Sequence, residues 1–196
     1  MRFLRCSVLF VLACWPRPAS AQWGLSAEIG TLRFSGGTAD TSGLSVHPYR
    51  STGLGIGVDR EFGGTRIGLE VRYAKTGLGG EGRDVAFVDY EALSMIEIAP
   101  LVSLRAARFG QDLSLRFEAG PVIDIWRPSG EDPRVRTGGR AGVMMDWPLA
   151  RRLRGAVRVS AALLPTVFEE RDLEGESAEL RPMWRTSVAL AARYRL

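Results

Sequence analysis

The end of the chain alternates so regularly that it fits only a strand. Trp184, Thr186, Val188, Leu190, Ala192, Tyr194 and Leu196 share one face. Arg185, Ser187, Ala189, Ala191, Arg193 and Arg195 share the other. A helix would mix the two sets, whereas a strand sends successive side chains to opposite sides. The same pattern recurs upstream. Ile67, Leu69, Val71 and Tyr73 alternate with Arg66, Gly68, Glu70 and Arg72. Leu113, Leu115, Phe117 and Ala119 alternate with Ser114, Arg116, Glu118 and Gly120. Leu54, Ile56 and Val58 alternate with glycines and Asp59, and Val157, Val159 and Ala161 with Arg158, Ser160 and Ala162.

Extending this reading to weaker segments predicts eight strands, at 22–34, 49–58, 65–74, 85–104, 113–126, 138–147, 153–164 and 183–196. Several exceed the ~5–6 residues usual in soluble sheets and suit the ~9–11 residues of a tilted membrane strand. No stretch is long and apolar enough for a transmembrane helix.

The polar face decides which solvent the outside of such a sheet meets. It carries Glu28, Glu70, Arg72, Glu97, Arg116, Glu118, Arg140, Arg158, Arg185 and Arg193, interleaved with small residues. A soluble barrel puts apolar side chains inside and charges outside. A membrane barrel reverses this, with apolar residues on lipid and a polar interior. These ten residues are therefore expected to form a charge network in the lumen. The predicted connections run 14, 6, 10, 8, 11, 5 and 18 residues, long alternating with short. That alternation suits an antiparallel up-and-down barrel with longer outer loops, short periplasmic turns and both chain ends in the periplasm. Trp23, Trp147 and Tyr194 fall near the inner ends of their strands, and Phe34, Tyr49, Tyr73, Trp126 and Trp184 near the outer ends. Two such bands are expected to be membrane-interface aromatics.

These residues resemble the outer-membrane β-barrel, or porin-like, family of small Gram-negative barrels, of the OmpA, OmpX and OmpW types. Met95-Ile96-Glu97-Ile98-Ala99-Pro100-Leu101 is similar to a family strand reading Tyr-Leu-Glu-Ile-Pro-Leu, with one extra residue before Pro100. Phe117-Glu118-Ala119-Gly120-Pro121 resembles the strand that follows it. The final strand is similar to the signal read by the barrel-assembly machinery. Tyr194 fits that signal, and Leu196 stands where a terminal Phe is usual. The resemblance implies a monomer in contact with outer-membrane lipid and lipopolysaccharide, with no nucleic-acid partner.

The N-terminus gives the resemblance a route to that membrane. Arg2 and Arg5 precede an apolar run to Trp15, and Ala19-Ser20-Ala21 offers a small-x-small site. This predicts a signal peptide over 1–21, with the barrel domain at 22–196. A competing reading makes Val11-Leu12-Ala13-Cys14 a lipidation box at Cys14. Removing 1–21 takes Arg2, Arg5 and Arg17 with no acid, so the formal charge falls from +4 to +1. Basicity is then no argument for nucleic-acid binding. Both cysteines, Cys6 and Cys14, leave as well, so neither a disulfide nor thiolate chemistry is expected.

Little in the sequence points to catalysis. Lipid A-modifying barrels need a nucleophile beside a base. The single histidine, His47, has Ser45 two residues before it and no His-x-Ser-Asn arrangement. One His without Cys builds no zinc shell, and no cofactor is expected. Gly53-Leu54-Gly55-Ile56-Gly57 reads as a strand that admits bulky lumen neighbours, and Gly77–Gly82 as a loop. Glu169, Glu170, Asp172, Glu174, Glu176 and Glu179 make the last long loop acidic, without the spacing of a calcium loop. Arg50, Arg83, Arg127, Arg134 and Arg136 fall near the outer rim, where lipopolysaccharide phosphates are expected. The expectation is a non-enzymatic barrel serving envelope integrity, surface interaction or narrow solute passage. Its rivals are a lipid A-modifying enzyme and a soluble lipocalin-like binder.

Overall fold

The computed structural model describes residues 22–36, 38–40, 45–81, 86–110, 112–169, 172 and 178–196. The predicted signal segment with Cys14, and Arg83, Glu170, Glu174 and Glu176 of the loops, lie outside the described residues. So does the side chain of Glu179.

Among the described residues the chain forms β1 (Gln22–Ser35), β2 (Thr38–Asp40), β3 (Ser45–Pro48), β4 (Ser51–Phe62), β5 (Thr65–Glu81) and β6 (Ala86–Phe109). It continues through β7 (Leu113–Pro128), β8 (Arg134–Pro148), β9 (Leu153–Leu164), β10 (Ala178–Leu180) and β11 (Met183–Arg195). Eight of these close a ring in which every pairing is antiparallel: β1-β4-β5-β6-β7-β8-β9-β11 and back to β1. The short strands β10, β2 and β3 continue the sheet beyond the ring, docking on β5. The chain is an eight-stranded up-and-down transmembrane β-barrel. No described helix is long and apolar enough to cross a membrane.

Side-chain direction follows the alternation. On β11, Arg185, Ser187, Ala189 and Arg193 are buried, while Trp184, Val188, Leu190 and Tyr194 are exposed. Ile56 is 69% exposed and Leu190 61%, values that only an apolar solvent makes tolerable around a whole barrel.

Gln22, Leu196 and the short turns after β4, β6 and β8 lie at one end, the turn end. Gly63 and Gly110 make two of those turns possible with φ of +61° and +63°. At the opposite, loop end the strands run further than the alternation alone suggests. Residues 75–84 are predicted as a loop, but β5 stays paired with β6 up to Glu81 and Ala86. The backbone there needs only ladder partners, and small residues such as Gly79 and Gly80 obscure the period. At the turn end β6 extends to Phe109, into the predicted connection 105–112, and β4 to Phe62, while at the loop end β8 begins at Arg134. At 24 residues, β6 is far longer than the ~9–11 a crossing takes, so the β5–β6 hairpin projects beyond the bilayer.

The two family-like motifs meet across one irregular patch of wall. Pairing of β6 with β7 runs to Ile98↔Ile123, lapses, and resumes at Val102↔Ala119. Pro100 has no N–H to give the ladder, and its carbonyl oxygen turns toward Gly120 instead. A Cβ on Gly120 would lie 2.0 Å from that oxygen, so the position admits only glycine.

Candidate functional site

An eight-stranded barrel has an interior just wide enough to be filled by side chains, and the filling here is charged. The inward face of β4 carries Gly53, Gly55 and Gly57, which leave space for charges from adjacent strands. A Cβ at Gly55 would lie 2.7 Å from Glu28 Cγ, and one at Gly53 3.1 Å from Arg72 Cδ.

Midway along the barrel, Arg72 donates from Nε to Glu28 at 2.9 Å and from Nη2 to Glu70 at 3.0 Å. Arg140 Nη1 donates to Glu70 at 2.8 Å and also to Glu97. Arg158 bridges Glu28 and Glu70 and approaches Glu118 at 2.8 Å. Arg185 joins Glu97 to Asp124, the latter at 2.5 Å. All nine residues are buried. The other two predicted network members, Arg116 and Arg193, lie in a separate cluster near the turn end. Arg193 forks onto Asp59 at 2.5–3.1 Å. Arg116 donates to Ser103 at 2.9 Å, Gly64 O at 3.1 Å and Glu61 at 3.3 Å.

The sequence reading leaves out Asp59, Glu61, Arg66, Asp124 and Asp146, which the structure places among these pairs. Each has the inward parity of its strand: Asp59 and Arg66 already stand on polar faces read from the sequence, and the same parity carried along the strands reaches Glu61, Asp124 and Asp146.

Between the two clusters lies a cavity of about 60 Å³, lined by groups including Ser26, Glu70, Glu118 and Arg158. Apolar groups such as Val58, Leu69, Leu101 and Met144 make up much of the remaining wall, and the size suits a few water molecules at the polar groups rather than a solute.

The loop end is closed by apolar packing. Leu32, Phe34, Ala74, Leu93, Met95, Trp126 and Met183 form a buried plug, capped by Val167 from the loop after β9. Phe34 and Trp126 meet edge to face with centroids 5.6 Å apart. This corrects the assignment of these two aromatics to the membrane interface. They stand at the correct level but have inward parity, in step with Glu28 and Glu118, so they fill the lumen. Trp23, Tyr73, Trp184 and Tyr194 do face outward, and Trp147 and Tyr49 are half-buried. Tyr49 lies between β3 and β4, its carbonyl taking a hydrogen bond from Thr76. Arg60 stacks near Trp23 and Phe62, at 5.5 and 4.9 Å.

Arg134 and Arg136 hold the capping loop down. Arg134 donates to Val167 O at 3.1 Å and to Asp172 at 2.5 and 2.9 Å. Arg136 donates to Thr166 O at 2.7 Å and Glu169 at 3.2 Å. The rim arginines at these two positions therefore bind the loop, in part through its own acids Glu169 and Asp172. No group of three or more potential metal ligands occurs among the described residues. His47 lies on β3, opposite Gly79 of β5.

No family model matches the sequence, and no curated protein matches it. Solved structures do share its fold. Neisserial surface protein A (NspA) superposes with a TM-score of 0.61 at 8% identity, over 90% of this chain and 99% of that one. The outer membrane protein OprG from Pseudomonas aeruginosa gives 0.60 at 10% identity, over 90% and 96%. At such identities the likeness shows the architecture: the chain has the fold of the small outer-membrane β-barrels.

Proposed function

We propose that this chain is a non-enzymatic integral protein of the Gram-negative outer membrane that reinforces the envelope and carries no open pore. The observation that carries this reading is the filled lumen. Arg–carboxylate clusters occupy its middle and turn end, an apolar plug closes its loop end, and about 60 Å³ of space is left between the two clusters. Residence in the outer membrane is supported by the outward apolar band and by the fold shared with outer-membrane proteins. The turn end then faces the periplasm. The terminal strand, with Tyr194 and Leu196, would present the assembly machinery with its signal.

Lipopolysaccharide is the proposed lipid partner. Arg33, Arg50, Lys75 and Arg127 are exposed near the loop end. The pairings Leu32↔Ser51, Thr52↔Lys75 and Ser94↔Arg127 set them at similar height around the barrel. Such a row suits the phosphates of an outer leaflet. Arg134 and Arg136 are left out of it because they are engaged by the capping loop.

Purified protein inserted in planar bilayers is expected to show no stable conductance on the scale of a porin. Steady, wide-channel conductance would contradict a closed lumen.

A further inference from the structure

The periplasmic mouth is built differently from the rest of the lumen. A basin of about 360 Å³ opens there on the barrel axis. All eight barrel strands contribute to its wall, so it faces water and not lipid. Six arginines line it, at 66, 105, 108, 116, 154 and 195, against three acids, Glu61, Asp112 and Asp146. At mid-barrel the balance is opposite, with Glu28, Glu70, Glu97, Glu118 and Asp124 around Arg72, Arg140, Arg158 and Arg185.

The acids present are overcommitted. Glu61 alone serves Arg105 at 2.7 Å, Arg66 and Arg116 at 3.3 Å, and Arg193 at 3.6 Å. Arg66 has a side chain only 9% exposed, yet its Nε finds no hydrogen-bond acceptor, the nearest carboxylate oxygen being 3.4 Å away on Asp59. The Nε of Arg105 is also buried without an acceptor; both atoms are closed to solvent, so they mark the shortage of acids here and not a ligand contact. Guanidinium groups left short of acceptors in a concave site recognise planar or tetrahedral oxyanions through paired N–H bonds.

We propose that this basin is a binding site for a small multivalent oxyanion, of the phosphate or diphosphate class, taken from the periplasm. The site exceeds the volume of a single water many-fold, and its surplus of three positive charges matches a di- or trianion. The inference does not depend on whether the loop end contacts lipopolysaccharide.

Titration calorimetry of the full folded barrel in detergent, with inorganic pyrophosphate as the probe, tests it. Saturable one-to-one binding is expected, tighter than that of sulfate at equal ionic strength. Arg108 and Asp112 are exposed on the basin wall, so replacing either leaves the interior pairs untouched. Arg108→Gln is expected to weaken pyrophosphate about tenfold, the loss of one charge-assisted contact. Asp112→Asn is expected to tighten it several-fold. Absence of saturable binding, or an affinity that both replacements leave unchanged, overturns the proposal.

Discussion

Glu97→Ala is expected to cost the barrel about 3–5 kcal/mol of unfolding free energy, the usual penalty for stranding a buried charge. Glu97 is fully buried and is shared by Arg140 and Arg185, with Arg72 3.6 Å away. Removing it leaves Arg185 with Asp124 as its remaining carboxylate, beside Met95 Sδ, and Arg140 with Glu70, in an interior with no bulk water to take up the difference. Glu97→Gln keeps an acceptor for the guanidiniums and loses only the charge, so its loss is expected to be smaller. Asp132→Ala, at an exposed position beyond the loop end of β7, is expected to stay within about 0.5 kcal/mol of the parent. Urea unfolding in bilayers of fixed composition, followed by the heat-sensitive gel mobility of folded barrels, separates the three. Equal stabilities for Glu97→Ala and Asp132→Ala would show that the network does not hold the barrel together.

The second large effect belongs to the outer surface. Ile56→Arg is expected to destabilise the inserted barrel by about 2–4 kcal/mol, as a charge at the bilayer midplane does. Thr52→Arg, on the same strand and the same exposed face but nearer the loop end, is expected to cost about 0–1 kcal/mol. In a water-soluble barrel both replacements would be close to neutral, because an exposed isoleucine would gain from becoming charged. The depth dependence therefore distinguishes lipid from water as the outer solvent, using the same unfolding measurement.

Much of this architecture was legible because a strand has only two faces. Once Trp184 and Arg185 are assigned to opposite sides, the direction of each remaining side chain on β11 follows. What parity cannot supply is register between strands. Arg158 and Glu28 are 130 residues apart, and only the ring of pairings brings them together. The same gap explains why Arg116 and Arg193 belong to a different cluster from the other predicted lumen charges. Phe34 and Trp126 were misplaced for another reason. Their level along the strand suits the interface, but their parity points inward. Asp124 escapes a sequence reading because the alternation of β7 is clear only to Gly120, short of the patch where Pro100 and Pro121 interrupt the regular pattern. The strand extensions at the loop end were hidden by Gly77, Gly79 and Gly80, whose lack of side chains erases the period that announces a strand. The basin at the turn end has no signature in sequence at all, since its arginines come from five strands, β5, β6, β7, β9 and β11, that only the ring brings together.

The central claim is that the barrel is inverted, apolar outward and charged inward, and thiol labelling along β11 tests it most directly. The only cysteines, Cys6 and Cys14, precede the barrel, so residues 22–196 offer a cysteine-free background. Single cysteines at 188 and 190 are expected to take a membrane-soluble fluorescent maleimide and to be quenched by nitroxide lipids. Single cysteines at 187 and 189 are expected to remain unreactive in the folded protein. Labelling and lipid quenching at 187 and 189, or reaction of 188 and 190 with a water-soluble reagent in the intact bilayer, would contradict the account.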